Sequence, residues 1–285
     1  MTEGRAPLLL ERHFVPHTPG RECVSGACKC VTGTDCGGAC VDTSSDASNC
    51  GVCGKVCPSP GACVAGACSS VLKCNGAAPK VLIYSPLGSG TKAYLPTGAT
   101  STTVDATGWS ALTTADFKSY QLIVFGDEGY SPGSSAWDAI YSTRAKWFPA
   151  ITGRVLVHTF DPTAHTGTPG ATTFTSATLK WAAGGPGTGL WVGPDFGDRK
   201  LDVLTDFGTW GVLGQKTDGL SGDDVTVDLT SHGSMVGSSS SSLSSWSWTY
   251  HAAITSWPSS FVKVASITSS TGRALVVAKD VTCAP

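Results

Sequence analysis

The chain has 285 residues, 41% hydrophobic and 14% charged, with 19 basic against 21 acidic side chains and a formal net charge of −2. That balance argues against a nucleic-acid binder, which would show a basic excess. It also argues against a disordered chain, which would pair low apolar content with high net charge. No apolar run approaches the roughly 18 residues of a membrane span.

Residues 1–22 read as an irregular tail. Arg5 is followed only by Leu8-Leu9-Leu10 before Glu11 and Arg12. This is short of the apolar core of roughly 7–15 residues that an export leader needs, so no signal peptide is visible here.

Ten of the 12 cysteines fall between Cys23 and Cys68: Cys23, Cys28, Cys30, Cys36, Cys40, Cys50, Cys53, Cys57, Cys63 and Cys68. Cys23-Val-Ser-Gly-Ala-Cys28 recurs as Cys63-Val-Ala-Gly-Ala-Cys68, 40 residues on, while the counterpart of Cys57 would fall on His17. Large apolar side chains are nearly absent, so no hydrophobic core can offset the entropy of ordering residues 23–70. Covalent staples must do so, and a disulfide-rich module with unassigned pairs is expected. Zinc is the rival, from the Cys50-x2-Cys53 and Cys36-x3-Cys40 spacings, but ten thiols without a histidine divide poorly into sets of four. Asp42, Asp46 and Asn49 could contact calcium, although such a run more often builds side-chain-capped turns. Disulfides imply export, to the medium, the cell surface or the periplasm, with any leader lying upstream.

The stretch Cys36-Gly-Gly-Ala-Cys40-Val-Asp-Thr, Asp46, Asn49-Cys50-Gly-x-Cys53-Gly-x2-Cys57-Pro58 resembles a cysteine-rich module of secreted and envelope proteins of Gram-negative bacteria. The resemblance implies a stalk or spacer without chemistry of its own.

Residues 74–285 form a second region with a different pattern. Short apolar runs at Lys80–Ser85, Gln121–Gly126 and Arg154–Thr159 read as buried strands, with a further strand over 101–105. Helices are expected over Ser110–Tyr120, with Thr113 or Thr114 as cap, over Ser134–Ala150, and over Thr172–Ala183. A strand follows at Thr188–Val192. Residues 195–260 look irregular apart from a strand at Val225–Leu229, with Ser238–Ser245 as an exposed loop. Phe261–Thr268 and Arg273–Asp280 flank Ser269–Gly272 as a hairpin. Strands alternating with helices imply an α/β fold with an open, mostly parallel sheet. Cys74 precedes the first strand and Cys283 follows the last, so a bond between them would close the domain.

Lys80-Val-Leu-Ile-Tyr84, the segment Leu112–Gly126, Gly153–His158 and Trp181–Gly189 resemble the class I glutamine amidotransferase-like superfamily, nearest its ThuA-like branches. The resemblance implies a flavodoxin-like, amidotransferase-like sheet. That family's glutaminase nucleophile is a cysteine, and none stands between Cys74 and Cys283, so glutamine hydrolysis is rejected.

Ligands of open α/β sheets sit beyond the carboxyl ends of the strands. The polar residues expected there are Asp127, Glu128, His158, Asp161 and His165. The set His158, Asp161 and His165 offers two imidazoles and a carboxylate for a divalent metal, against the plainer reading of a strand histidine, a turn aspartate and a solvated histidine. Glu128, His158 and Asp127 are the catalytic candidates. Ser85 and Ser89 flank the first strand, and Gly88-Ser89-Gly90 offers an anion nest, but no Gly-x-Ser-x-Gly elbow occurs. His232 and His251 could complete a site in space. Trp246, Trp248, Tyr250 and Trp257 could stack on sugar rings if exposed, although such residues more often fill a loop-rich core.

The sequence thus favours a non-catalytic binding role for an exported or cell-surface protein, with a carbohydrate or cell-surface partner and the module as spacer. The alternative is a hydrolase acting on a carbohydrate-like substrate, metal-assisted, at the edge of Asp127, Glu128, His158, Asp161 and His165. Assembly into a surface structure is a third reading. No cofactor is expected apart from that divalent metal.

Overall fold

In the computed structural model, the described residues are 21–24, 27–44, 46, 48–57, 61–64, 66–70, 74–76, 78–126, 136–193, 201–214, 220–246 and 249–283. The chain divides between residues 71 and 72 into two compact units.

The first unit is a run of three hairpins: β1 (Arg21–Val24) with β2 (Ala27–Cys30), β3 (Thr34–Cys36) with β4 (Ala39–Val41), and β5 (Gly61–Val64) with β6 (Ala67–Ser70). The middle turn is Gly37-Gly38, both at positive φ (68° and 98°), as a two-residue hairpin loop between twisted strands requires. The sequence repeat is a repeat of register: Cys23 stands opposite Cys28 in one hairpin as Cys63 stands opposite Cys68 in another. Disulfides join Cys30 to Cys40, Cys36 to Cys53, Cys50 to Cys63 and Cys57 to Cys68. Among the described residues no cysteine is free, which removes the zinc reading. The buried cluster is made of the cystines themselves, Cys50, Cys57 and Cys63 with Cys68 packed on them. Asp42 accepts from the Ser44 backbone (3.0 Å) and hydroxyl (2.6 Å), and Asp46 from the Ser48 backbone (2.8 Å) and Asn49 side chain (3.1 Å), so these carboxylates close turns.

The second unit is built on a 10-stranded sheet. Its strands are β7 (Lys80–Tyr84), β8 (Thr100–Val104), β9 (Leu122–Gly126), β10 (Ile151–His158), β11 (Thr188–Gly193), β12 (Gly211–Gly214), β13 (Val225–Val227), β14 (Ala252–Ser256), β15 (Val262–Ile267) and β16 (Ser270–Lys279). The central block runs β8-β7-β9-β11-β10, parallel throughout. Beyond β10 the sheet continues antiparallel through β16, β14 and β12, and β15 and β13 branch from β16. Numbering the parallel strands in chain order gives 2-1-3-5-4; the flavodoxin order is 2-1-3-4-5. The unit is therefore mixed α/β with a parallel centre, and β15–β16 is the C-terminal hairpin.

Side chains alternate across this sheet. Leu82, Tyr84, Ile123, Phe125, Val155, Val157 and Leu190 face one core. That core is covered by α1 (Ala106–Ala111), α2 (Thr114–Lys118), α3 (Ala136–Ser142) and α4 (Arg144–Trp147). Val81, Ile83, Leu122, Val124, Leu156 and Trp191 face the other, beneath α5 (Pro169–Gly184). Both faces are dry, which is why these strands read as unbroken apolar runs.

Two expected helices are each split. Asp105 caps α1 by accepting from Gly108, and Thr113 opens α2 with a reciprocal capping box to Asp116, so two short helices replace one over 110–120. The segment 134–150 breaks at Thr143, whose hydroxyl donates to Ala139 O (2.6 Å) and accepts the buried Trp109 Nε1 (2.9 Å), drawing the backbone out of helical geometry. The stretch 195–260 is more ordered than expected, supplying β12, β14 and α6 (Ser240–Leu243). Ser240 and Ser244 accept the Val227 and Val225 backbone N–H groups at 2.9 Å, so serine hydroxyls stand in for a neighbouring strand along β13. No described helix is long and apolar enough to cross a membrane. Cys74 is bonded to Cys283, 209 residues away.

Candidate functional site

The carboxyl ends of the parallel strands are described at β7, β9, β10 and β11. Asp127 and Glu128 lie outside the described residues. β9 and β11 end in the facing pair Gly126 and Gly193, where a side chain on Gly126, at φ 92°, would strike the Gly193 carbonyl.

His158 ends β10 on the same side as Leu156, so alternation points its ring into the core. It is fully buried, with Trp191 at 4.2 Å and Phe174 at 5.7 Å between ring centroids. Neither ring nitrogen has a hydrogen-bond partner. Burial pushes its pKa down to about 3, with only a small opposing effect from the Phe160 backbone, so the ring is neutral.

Past His158 the chain pairs with a segment far along the sequence, Phe160 bridging to Tyr250. That contact brings His251 to Asp161. Asp161, 4% exposed, places Oδ2 3.1 Å from His251 Nε2 and Oδ1 3.2 Å from His165 Nε2. The turn closed by Ala164 N to Asp161 O (3.0 Å) sets the four-residue spacing that brings His165 back over the carboxylate. Two of the three expected metal ligands, Asp161 and His165, thus meet, and the second imidazole is His251 in place of His158. The two imidazoles reach different oxygens of one carboxylate. Among the described residues, the only histidine, cysteine or acidic set with metal-ligand spacing is Cys50, Cys57 and Cys68, all in disulfides.

After β7 the chain turns through Ser85–Leu87 and Ser89–Tyr94. Thr91 donates to Gly88 O (2.7 Å), and a Cβ on Gly90 would stand 2.9 Å from Thr163 Cβ, so the Gly88–Gly90 turn lies against the Asp161–His165 turn. His232 lies elsewhere, its ring 4.9 Å from Trp181 and its pKa lowered by burial.

The aromatic residues of 246–257 are placed inward where described. Trp246 packs on Phe160 (5.5 Å) and donates Nε1 to Ser242 O (2.8 Å). The buried Tyr250 hydroxyl donates to Asp224 Oδ1 (2.5 Å), and burial, then that carboxylate, hold its pKa far above the ordinary value. Trp257 is half-buried against the α1–α4 core, and Trp248 lies outside the described residues.

A groove of 560 Å³ opens at the other end of the domain, between Asn75, Gly76 and Pro79, the segment 93–97 and the last turns of α5. Sequence reasoning missed it, because nothing in a lone lysine on a helix marks a site. Its floor is pinned to α5. Asn75 Nδ2 donates to Ala183 O (2.9 Å) and Gly187 O (2.8 Å), and Asn75 N to Gly185 O (3.1 Å), satisfying carbonyls that a helix end leaves unpaired. Tyr94 and Leu95 pack on the core and form one wall. Ser176, Lys180 and Gly184, spaced by four, line the other along one stripe of α5. A Cβ on Gly76 or Gly184 would meet nothing within 4 Å.

No family model matches the chain, and no curated protein or solved structure does so. The five disulfides among the described residues are compatible with a secreted or extracellular protein.

Proposed function

We propose that this is an exported or cell-surface binding protein, with the cystine-stapled module as spacer and the groove beside α5 as the ligand site of the α/β domain. One observation carries the reading: the groove has the volume of a small-molecule site, yet the described residues of its lining bring together no acid–base pair and no nucleophile beside a base. The amidotransferase-like kinship belongs to the same proposal. The parallel strands support it, and the 2-1-3-5-4 order and the absence of cysteine between 74 and 283 are departures that it must accommodate.

Gly184→Phe tests the site, because the new ring would enter open space. Small apolar fragments that bind the native protein, detected by ligand-observed NMR, should lose binding in this variant while the circular dichroism spectrum is kept. Fragments that bind both proteins alike, or no binding at all, would refute the groove as the site.

A second reading, a hydrolase at the carboxyl edge, is favoured by the Asp161 carboxylate held between His165 and His251. There Asp161 would orient His165, whose side chain is 19% exposed, as a general base. Hydrolysis of activated esters lost in both Asp161→Asn and His165→Gln would support it; activity unchanged in His165→Gln would remove it.

A further inference from the structure

Lys180 is an exposed cation that forms no ion pair or hydrogen bond with any described residue. Four residues earlier on the same stripe of α5, the Ser176 hydroxyl is likewise without a partner. Both line the groove together with Tyr94, Leu95, Pro96 and Pro79. Lys180 is the one described cation in that lining, and no described carboxylate joins it.

The groove's lining thus combines apolar side chains, Tyr94 and Leu95 among them packed on the core, with a helix stripe carrying one positive charge and one hydroxyl. Resting on the binding reading above, we propose that the groove takes a small apolar molecule bearing a single carboxylate. Lys180 pairs with the anion, Ser176 donates a hydrogen bond to it, and the apolar body lies along Tyr94, Leu95 and Pro96. A carboxylate fits this donor set because it offers two acceptor oxygens to one ammonium and one hydroxyl. A phosphate dianion is ordinarily met by a guanidinium or a row of backbone N–H groups, and no arginine is among the groove's described side chains. Gly184, next along the stripe, leaves space beside the α5 backbone for the ligand's body.

The probes are 4-phenylbutyrate, its neutral amide 4-phenylbutyramide, and a phosphate monoester of the matching phenylalkyl chain, titrated calorimetrically into the full chain. The carboxylate should bind about twofold to fivefold more tightly than the amide, the scale of an exposed ion pair. Lys180→Met, at an exposed position, should erase that preference, so that the carboxylate and the amide bind alike. Ser176→Ala should reduce it in part, and Tyr94→Ala should weaken both probes. Equal affinities in the native protein, or a preference that survives Lys180→Met, would overturn the carboxylate assignment while leaving the groove as a binding site. A phosphate monoester that binds more tightly than the carboxylate would overturn it in favour of phosphate. Failure of all three probes to bind, or binding unaffected by Gly184→Phe, would overturn the groove itself and this inference with it.

Discussion

The Asp161 carboxylate and the His251 imidazole, 90 residues apart in the chain, meet at 3.1 Å with side chains 6% and 9% exposed. Their contact ties the end of the parallel block to the segment entering β14, so it belongs to the architecture as much as to any chemistry. Removing a buried carboxylate takes away a hydrogen bond to a charged group and leaves its polar partner desolvated. Asp161→Ala should therefore lower unfolding stability by about 2 kcal/mol, measured from urea transitions of native protein and variant near pH 7. A change below about 0.5 kcal/mol would mean that the carboxylate contributes no net stability.

His158 makes stability depend on pH in a defined direction. Its folded pKa lies near 3 and its ordinary value is 6.5, so below about pH 6.5 the unfolded chain binds a proton that the folded chain refuses. Its contribution is complete above that pH and falls as pH drops toward 3, at up to about 1.4 kcal/mol per pH unit. His158→Phe, which suits the aromatic surroundings, should remove this part of the slope. The measurement is the difference in urea midpoint between pH 7 and pH 4 for the two proteins. Equal differences would place a proton on the buried ring.

The Cys74–Cys283 bond closes a loop with a sequence separation of 209 and anchors the segment that floors the groove. The chain-entropy model gives about 5 kcal/mol for a loop of this length, as an upper figure. The double variant Cys74→Ser, Cys283→Ser should be destabilised by several kcal/mol in urea. It should also bind groove ligands more weakly before it unfolds, because Asn75 follows Cys74 directly. Unchanged affinity in the folded variant would separate the bond from the site.

The parallel core was legible because β7, β9 and β10 are dry on both faces and so carry unbroken apolar runs. The antiparallel extension was not: Gly211–Gly214 and Ala252–Ser256 are short and small-residue-rich, and they are strands because they pair with each other and with β16. The helix breaks at Leu112 and Thr143 depend on a capping box and on a tryptophan 34 residues away. At the carboxyl edge, the Asp161–His165 contact followed from local spacing. The exchange of His158 for His251 did not, because strand alternation turns one ring inward and a distant bridge brings in the other. The groove left no trace in the sequence, since three separate segments shape it around an ordinary exposed lysine.

The most direct measurement is a backbone NMR titration of the isotope-labelled full chain with 4-phenylbutyrate. Saturable shift changes should map to residues 75–79, 93–97 and 176–184 and vanish in Gly184→Phe. Changes centred on Asp161, His165 and His251, or none at any of these positions, would contradict a ligand site beside α5.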